Sequence, residues 1–475
     1  MGESFLEKNN SAGIKLNNII EEFKYIYKSQ EIKAGDFVNY VNGVANRVSY
    51  GNSVDTAIVA SQYAGYNIAA VLIDSDTVFI AHSYNTSYGL YCTVCKISGA
   101  TITCGTPTNL NSIRYAGRFL KAIKLDDGRI FIAHSYSSNY HLYGMLVNVD
   151  GLTVTYGADT PINDYEDEGA GISLAKLENN RIFVSHNYRS SDRLYGRIVT
   201  ISGDTMDIGT DTAVAAPSSL NTYCGRSTST IAVSNENVFV AHSYASNYYL
   251  YGTACTVSGS VITAGEYTKI NGSVAQTAAY IDTILVDSGD VLIVHSHTKS
   301  SYYLYGIVCT VNGTSFSKGT DTALDNTTTY SGMNISTTKL DNGNIFIAHA
   351  HTSSYHLYGA ICTVSNKVIT LLSNTMLSDT AYSAMATSVL LLGNNKLFLA
   401  HSYSSEYHLY GQLFVIDTLT NLPITSIENT VYEEQVLLAT EPPFSAVALI
   451  SGSGGDEFNH NDQIAIARLP NSEEV

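Results

Sequence analysis

The sequence predicts an all-β chain. The expected fold is a seven-bladed β-propeller of four-stranded antiparallel blades, with a short N-terminal helix and a small β attachment domain built from both termini. Three observations predict it. A phrase of the form Phe-Ile-Ala-His-Ser-Tyr, followed by a turn and Leu-Tyr-Gly, occurs seven times, at His82, His134, His186, His242, His295, His349 and His401. Successive copies lie 52 to 56 residues apart, and a steady period of this length marks one supersecondary unit repeated along the chain. Each period holds four short runs rich in β-branched and aromatic residues, divided by turns, with no room for a crossover helix. Radial repetition of such four-stranded units leaves only short, protected sheet edges.

Taken in order, Ile14, Leu16, Ile19, Ile20, Phe23, Ile26 and Tyr27 recur at mostly three-to-four spacing, which predicts an amphipathic helix over 14–27. Its apolar face packs either on its own domain or in a short coiled-coil homotrimer. Ile32-Lys-Ala-Gly-Asp-Phe-Val then reads as a strand and a glycine turn. Arg47-Val-Ser-Tyr-Gly resembles the last strand of a blade whose parent blade is missing, such as Thr153-Val-Thr-Tyr-Gly. Residues near 47–54 are therefore expected to complete the last blade and close the ring, with Pro423-Ile-Thr-Ser-Ile as the rival. Phe444-Ser-Ala-Val-Ala-Leu and Asp462-Gln-Ile-Ala-Ile-Ala-Arg read as strands flanking a Gly-rich turn. The expected division is 1–43 for the first half of an attachment domain, 44–423 for the propeller and 424–475 for the second half.

Composition narrows the function classes. The chain has 475 residues, 45% hydrophobic and 14% charged, with a formal net charge of −17. Disorder does not fit this composition. Nucleic acid is an unsuitable partner, because neutralising phosphates takes clustered Lys and Arg. No apolar run approaches the roughly 18 residues of a membrane helix, so membrane insertion is not expected. Met1-Gly-Glu-Ser-Phe-Leu lacks the basic start and apolar core of a leader, which predicts folding in a cytoplasm. Cys95, Cys255, Cys309 and Cys362 each stand four residues after the Tyr of Leu-Tyr, in separate blades. Such equivalents lie beyond disulfide reach, and Cys92, Cys104 and Cys224 are scattered. All seven are expected to be free, buried thiols. A metal site needs converging ligands; neither a metal nor a cofactor is expected.

The repeated histidines read first as packing residues. Period-two alternation places His134 and Tyr136 on one face. With a turn at 137–139, Tyr136 pairs with Tyr140 and His134 with Leu142. Seven near-identical copies argue against a catalytic histidine. Asp164, Glu166, Asp167 and Glu168 form an acidic cluster between blades. Two carboxylates at suitable separation would serve glycoside hydrolysis, but an acidic run is ordinarily a solvated loop, so the chain is not expected to be an enzyme.

The 35 tyrosines speak for binding. The expected ligand-binding set lies at the hairpin tips: Tyr84, Tyr88, Tyr136, Tyr140, His141, Tyr188, Tyr244, Tyr248, Tyr302, Tyr355, His356, Tyr403, Tyr407 and His408. An aromatic ring with a polar handle stacks on a sugar and bonds its hydroxyls, and repetition adds avidity. The alternative is that these rings fill the space between blades.

Two segments resemble known proteins. Ala34-Gly-Asp-Phe-Val and Ala446-Val-Ala-Leu-Ile-Ser-Gly-Ser-Gly-Gly-Asp together resemble a small β-domain of bacteriophage fibre, spike and tail proteins. The sequence departs from that pattern at the polar stretch Phe458-Asn-His-Asn-Asp. The blade repeat resembles one found in bacterial and phage adhesion proteins. The resemblance implies a tail-fibre-like structural protein of a virion or phage-tail-like particle, assembled in the bacterial cytoplasm. Its implied partners are other particle proteins through the terminal domain and host-surface carbohydrate through the propeller. The alternatives are a decoration protein without a ligand and a glycan-degrading propeller using Asp164 and Glu168.

Overall fold

The computed structural model describes residues 55–416 outside short loop segments, together with strand segments between residues 23 and 48 and between 436 and 468. The chain divides into two compact units, 53–423 and the paired ends 1–52 with 424–475.

The larger unit is a seven-bladed propeller. Its innermost strands are Asn67–Asp74, Leu120–Lys124, Ala170–Lys176, Cys224–Ala232, Ile281–Asp287, Met333–Lys339 and Thr387–Gly393. Each touches the next, and the seventh touches the first. Blade two shows the plan. Leu120–Lys124, Ile130–Ser135 and Leu142–Asp150 run antiparallel, and the outer strand comes in two pieces, Thr153–Tyr156 and Thr160–Pro161, both paired to Leu142–Asp150.

Alternation along the second strand decides where the core sits. In blade two, Ile130 and Ile132 pack with residues of blade one, such as Phe79 and Leu90. Phe131 and Ala133 pack with residues of blade three, such as Ile182 and Val184. Seven such apolar clusters alternate with the seven blades around the ring. Phe79, Phe131, Phe183, Phe239, Phe346 and Phe398 are fully buried, with Leu292 at the same place in blade five. Each large ring removed from water contributes about 2–3 kcal/mol. The glycine of Leu-Tyr-Gly makes room for that ring: a Cβ on Gly196 would come within 2.6 Å of Phe183 Cζ.

The ring closes with an N-terminal strand, displaced from its expected position. Thr56–Val59 pairs antiparallel with His408–Val415, setting Ala57 against Tyr410. The expected segment near 47–54 does not fill this role, because Val44–Val48 belongs to the other unit's sheet. Gly51 stands four residues before Asp55, whereas Gly157 stands two before Asp159, so matching the glycines placed the strand too early. Asp-Thr is the marker that keeps register. Pro423-Ile-Thr-Ser-Ile lies outside the described residues.

Two further expectations are corrected. Residues 14–22 lie outside the described set, and Phe23–Lys28, expected to finish a helix, is a strand paired antiparallel with Gln463–Arg468 and parallel with Val44–Val48. No helix occurs among the described residues. The stripe from Phe23 to Tyr27 also satisfies sheet pairing, and long-range partners decide between the two. In this terminal unit the six-stranded sheet runs Phe37–Val41, Val44–Val48, Phe23–Lys28, Gln463–Arg468, Phe444–Leu449, Val436–Glu441. The second correction is a disulfide between Cys95 and Cys104, whose Cα atoms lie 4.0 Å apart. They stand directly opposite in an antiparallel hairpin of blade one. Comparing equivalent positions across blades hid this pair, because no other blade has a cysteine opposite.

Candidate functional site

Each repeated histidine faces the preceding blade and pairs across the sheet with the tyrosine of Leu-Tyr-Gly. The pairs are His82–Tyr91, His134–Tyr143, His186–Tyr195, His242–Tyr251, His295–Tyr305, His349–Tyr358 and His401–Tyr410. Ring centroids are 5.9 to 6.3 Å apart in all seven. The expected pairing of His134 with Leu142 is one residue out of register, since Leu142 lies opposite Ser135. A slip of one residue exchanges the faces of a strand. It would have put the apolar leucine where the half-buried tyrosine stands.

In blades one, two, five, six and seven the residue two beyond the histidine packs on that tyrosine. Tyr84 meets Tyr91 edge-on at 4.6 Å and Tyr136 meets Tyr143 at 4.5 Å, while His351 stacks on Tyr358 at 4.0 Å. Every blade thus carries a fully buried histidine beneath a half-buried tyrosine.

Acidic partners from the outer strand complete most of these clusters. His134 Nε2 donates to Asp159 at 2.7 Å, His186 to Asp211 at 3.0 Å, His295 to Asp321 at 2.9 Å and His401 to Asp55 at 3.1 Å. In blade six the partner is Asn374 Oδ1, at 2.9 Å. In blade one His82 Nδ1 donates to the Ala64 carbonyl at 3.0 Å, so its Nε2 accepts from the Thr93 hydroxyl at 3.1 Å. Side chains of the preceding blade join in. The Asn111 amide donates to Asp159, the Asn271 amide to Asp321, and Asp325 accepts from both His351 and Asn374. Hydrogen bonds of this kind link blades one to two, four to five and five to six.

Electrostatics follows from these contacts. Burial works against the Asp159 carboxylate, but its bonds from His134, Tyr136 and Asn111 outweigh this and hold it below the usual range. Asp211 is depressed in the same way, with burial opposed by His186 and Arg197. Burial lowers His82 to about 4, against the Ala64 hydrogen bond, and lowers His242 to about 3. Both rings are neutral at pH 7. No group of three or more His, Cys, Asp or Glu residues arranged to hold a metal occurs among the described residues.

The expected tip residues are placed unevenly. Tyr136 is buried, and Tyr84, His141, Tyr302, Tyr355, His356, Tyr403, Tyr407 and His408 are half-buried. Tyr188 and Tyr244 end their strands; Tyr88, Tyr140 and Tyr248 lie outside the described residues, as do Asp164, Glu166, Asp167 and Glu168. Tyr302, Tyr355 and Tyr407 adopt φ of 46, 53 and 53°, a left-handed conformation rare for bulky side chains. Their carbonyls are held by the loops that enter the next blade: Gly332 N donates to Tyr302, Ala384 N to Tyr355 and Gly65 N to Tyr407. Sequence reasoning missed the Leu-Tyr-Gly tyrosines and the carboxylates Asp55, Asp159, Asp211 and Asp321. The signal was present, as Asp-Thr recurs at the same point of four repeats.

No protein-family model matches the chain, and no curated protein matches it significantly. Solved structures similar in fold include a 6-phosphogluconolactonase-like protein from Bacteroides uniformis. It is 10% identical with a TM-score of 0.51, over 73% of this chain and 94% of that one. The NanB sialidase of Streptococcus pneumoniae is 11% identical, TM-score 0.41, over 80% and 68%. The six-bladed fucose-recognising lectin of Aleuria aurantia is 14% identical, TM-score 0.43, over 66% and 98%. At these identities the likeness is one of fold. It corrects the expectation of a non-enzymatic chain: a propeller spanning most of this one carries a lactonase description, so the fold is one that hosts enzymes.

Proposed function

We propose that the propeller recognises carbohydrate in the clefts between blades. The observation that carries this reading is the sevenfold tyrosine–histidine stack, whose half-buried rings lie beside outer-strand carboxylates. Asp159 keeps 14% of its side-chain surface, so the carboxylate belongs to the cleft rather than the core. Ring faces bind the apolar side of a sugar, and carboxylates accept from its hydroxyls. The tip residues Tyr84, His141, Tyr403, Tyr407 and His408 form the rims. Seven weak, related sites would give high avidity for a repeating glycan. The test is to titrate the purified chain with a glycan panel while assaying release of reducing sugar. Tyr143→Ala combined with Tyr410→Ala should weaken binding several-fold. Binding unchanged in a folded double variant would sink the cleft site.

The setting we infer is a phage or phage-tail-like particle, with the terminal unit held by other particle proteins. Supporting it are the Ala34-Gly-Asp-Phe-Val and Ala446–Asp456 segments and a sheet that draws strands from both ends of the chain. Recovery with particles from a producing lysate tests it; recovery only as free chain counts against it.

A further inference from the structure

The cleft of blade four departs furthest from the pattern. In blade four, Tyr267 stands where blades two, three, five and seven place the histidine's aspartate. Ala215 of blade three stands where Asn111 and Asn271 donate across the other clefts. The consequence lies beneath the surface. His242 Nε2 and Thr253 Oγ1 are fully buried and have no hydrogen-bond partner among the described residues. In blade one the equivalent atoms bond each other at 3.1 Å. Buried polar atoms are nearly always satisfied, so two orphans on one strand pair set this cleft apart from the others.

The exposed side of this cleft differs as well. Tyr267 lies 6.0 Å from Tyr251, which covers His242, and Lys269 Nζ sits 3.2 Å above the Tyr249 ring. The Lys269 ammonium group thus adjoins an aromatic platform beside the point where four other blades set a carboxylate. In a chain of net charge −17, this is a local reversal of sign.

We propose that the cleft of blade four selects an acidic sugar unit. Its ring stacks on Tyr249, Tyr251 and Tyr267, and its carboxylate pairs with Lys269. The proposal rests on the carbohydrate reading above and names the blade and the charge of the ligand.

Two substitutions in the full chain test it against neutral and uronic- or sialic-acid glycans. Lys269→Gln should cut affinity for acidic glycans about tenfold, the worth of one charged contact, and leave neutral ones unchanged. Tyr267→Asp rebuilds the histidine–aspartate pair of the other blades. It should abolish acidic binding while its melting temperature holds or rises. Acidic binding that survives both changes, or a preference for neutral glycans, overturns the blade-four proposal and leaves the carbohydrate reading standing. A chain that binds neither class overturns both.

Discussion

Nε2 of His401 donates to Asp55 Oδ1 at 3.1 Å, joining residues 346 positions apart. In blades two, three and five the same bond joins residues 25 or 26 apart. The last blade therefore repeats the internal geometry of the others with a part supplied by the opposite end of the propeller sequence. Closing a ring this way ties the first and last blades through backbone pairing as well as this bond.

Asp55→Ala is expected to cost about 1–3 kcal/mol, because it leaves Nε2 of the fully buried His401 unpaired while Nδ1 keeps the Ser383 carbonyl. Urea denaturation of Asp55→Ala beside Asp321→Ala checks this. If Asp321→Ala is costly and Asp55→Ala is neutral, the ring does not depend on this closure.

Acid should destabilise the fold in two stages. His82 is held neutral by burial at about 4, against 6.5 when unfolded, so the unfolded chain binds more protons between those values. Stability is then full above pH 6.5 and falls as pH drops towards 4, by about 3 kcal/mol for this ring. Asp159 and Asp211 are depressed, so their contribution is present above 3.8 and is lost below it. His82→Gln should flatten the dependence between pH 7 and 5. A urea midpoint that rises on acidification would contradict the buried neutral histidine.

Thiol titration of the unfolded, unreduced chain should find five thiols, two fewer than the seven cysteines. In the native chain Cys92, Cys255, Cys309 and Cys362 should resist alkylation, since burial pushes each up to about 12. In a particle made in a reducing cytoplasm, the Cys95–Cys104 bond would form after release. Seven reactive thiols would remove the disulfide.

Gly265→Ala should be severely destabilising, because the added Cβ would overlap the backbone carbonyl of Thr314 in the next blade. Gly259→Ala meets nothing within 4 Å and carries only the strain of φ +59°, about 1–2 kcal/mol. Melting curves of the two variants should differ clearly; equal losses would mean the blades do not abut at Gly265.

How much of this was legible in the chain divides along one physical line. The number of blades, their strand alternation and the apolar faces between them follow from a period of 52 to 56 residues and a side-chain repeat of two. Those are local properties, written again in each copy. The sequence by itself thus determined a seven-bladed all-β propeller and a buried histidine in every blade. Only the tertiary structure decided which residues meet. The hairpin register set Tyr143 rather than Leu142 against His134, and long-range pairing drew Phe23–Lys28 into a sheet. Asp55 found its histidine in the last blade, and blade four's histidine was left without the partner that four others have. Each of these turns on a one-residue shift or a contact between distant segments; aligned copies mark where the Asp-Thr strand stands, but no copy by itself names the residue it meets.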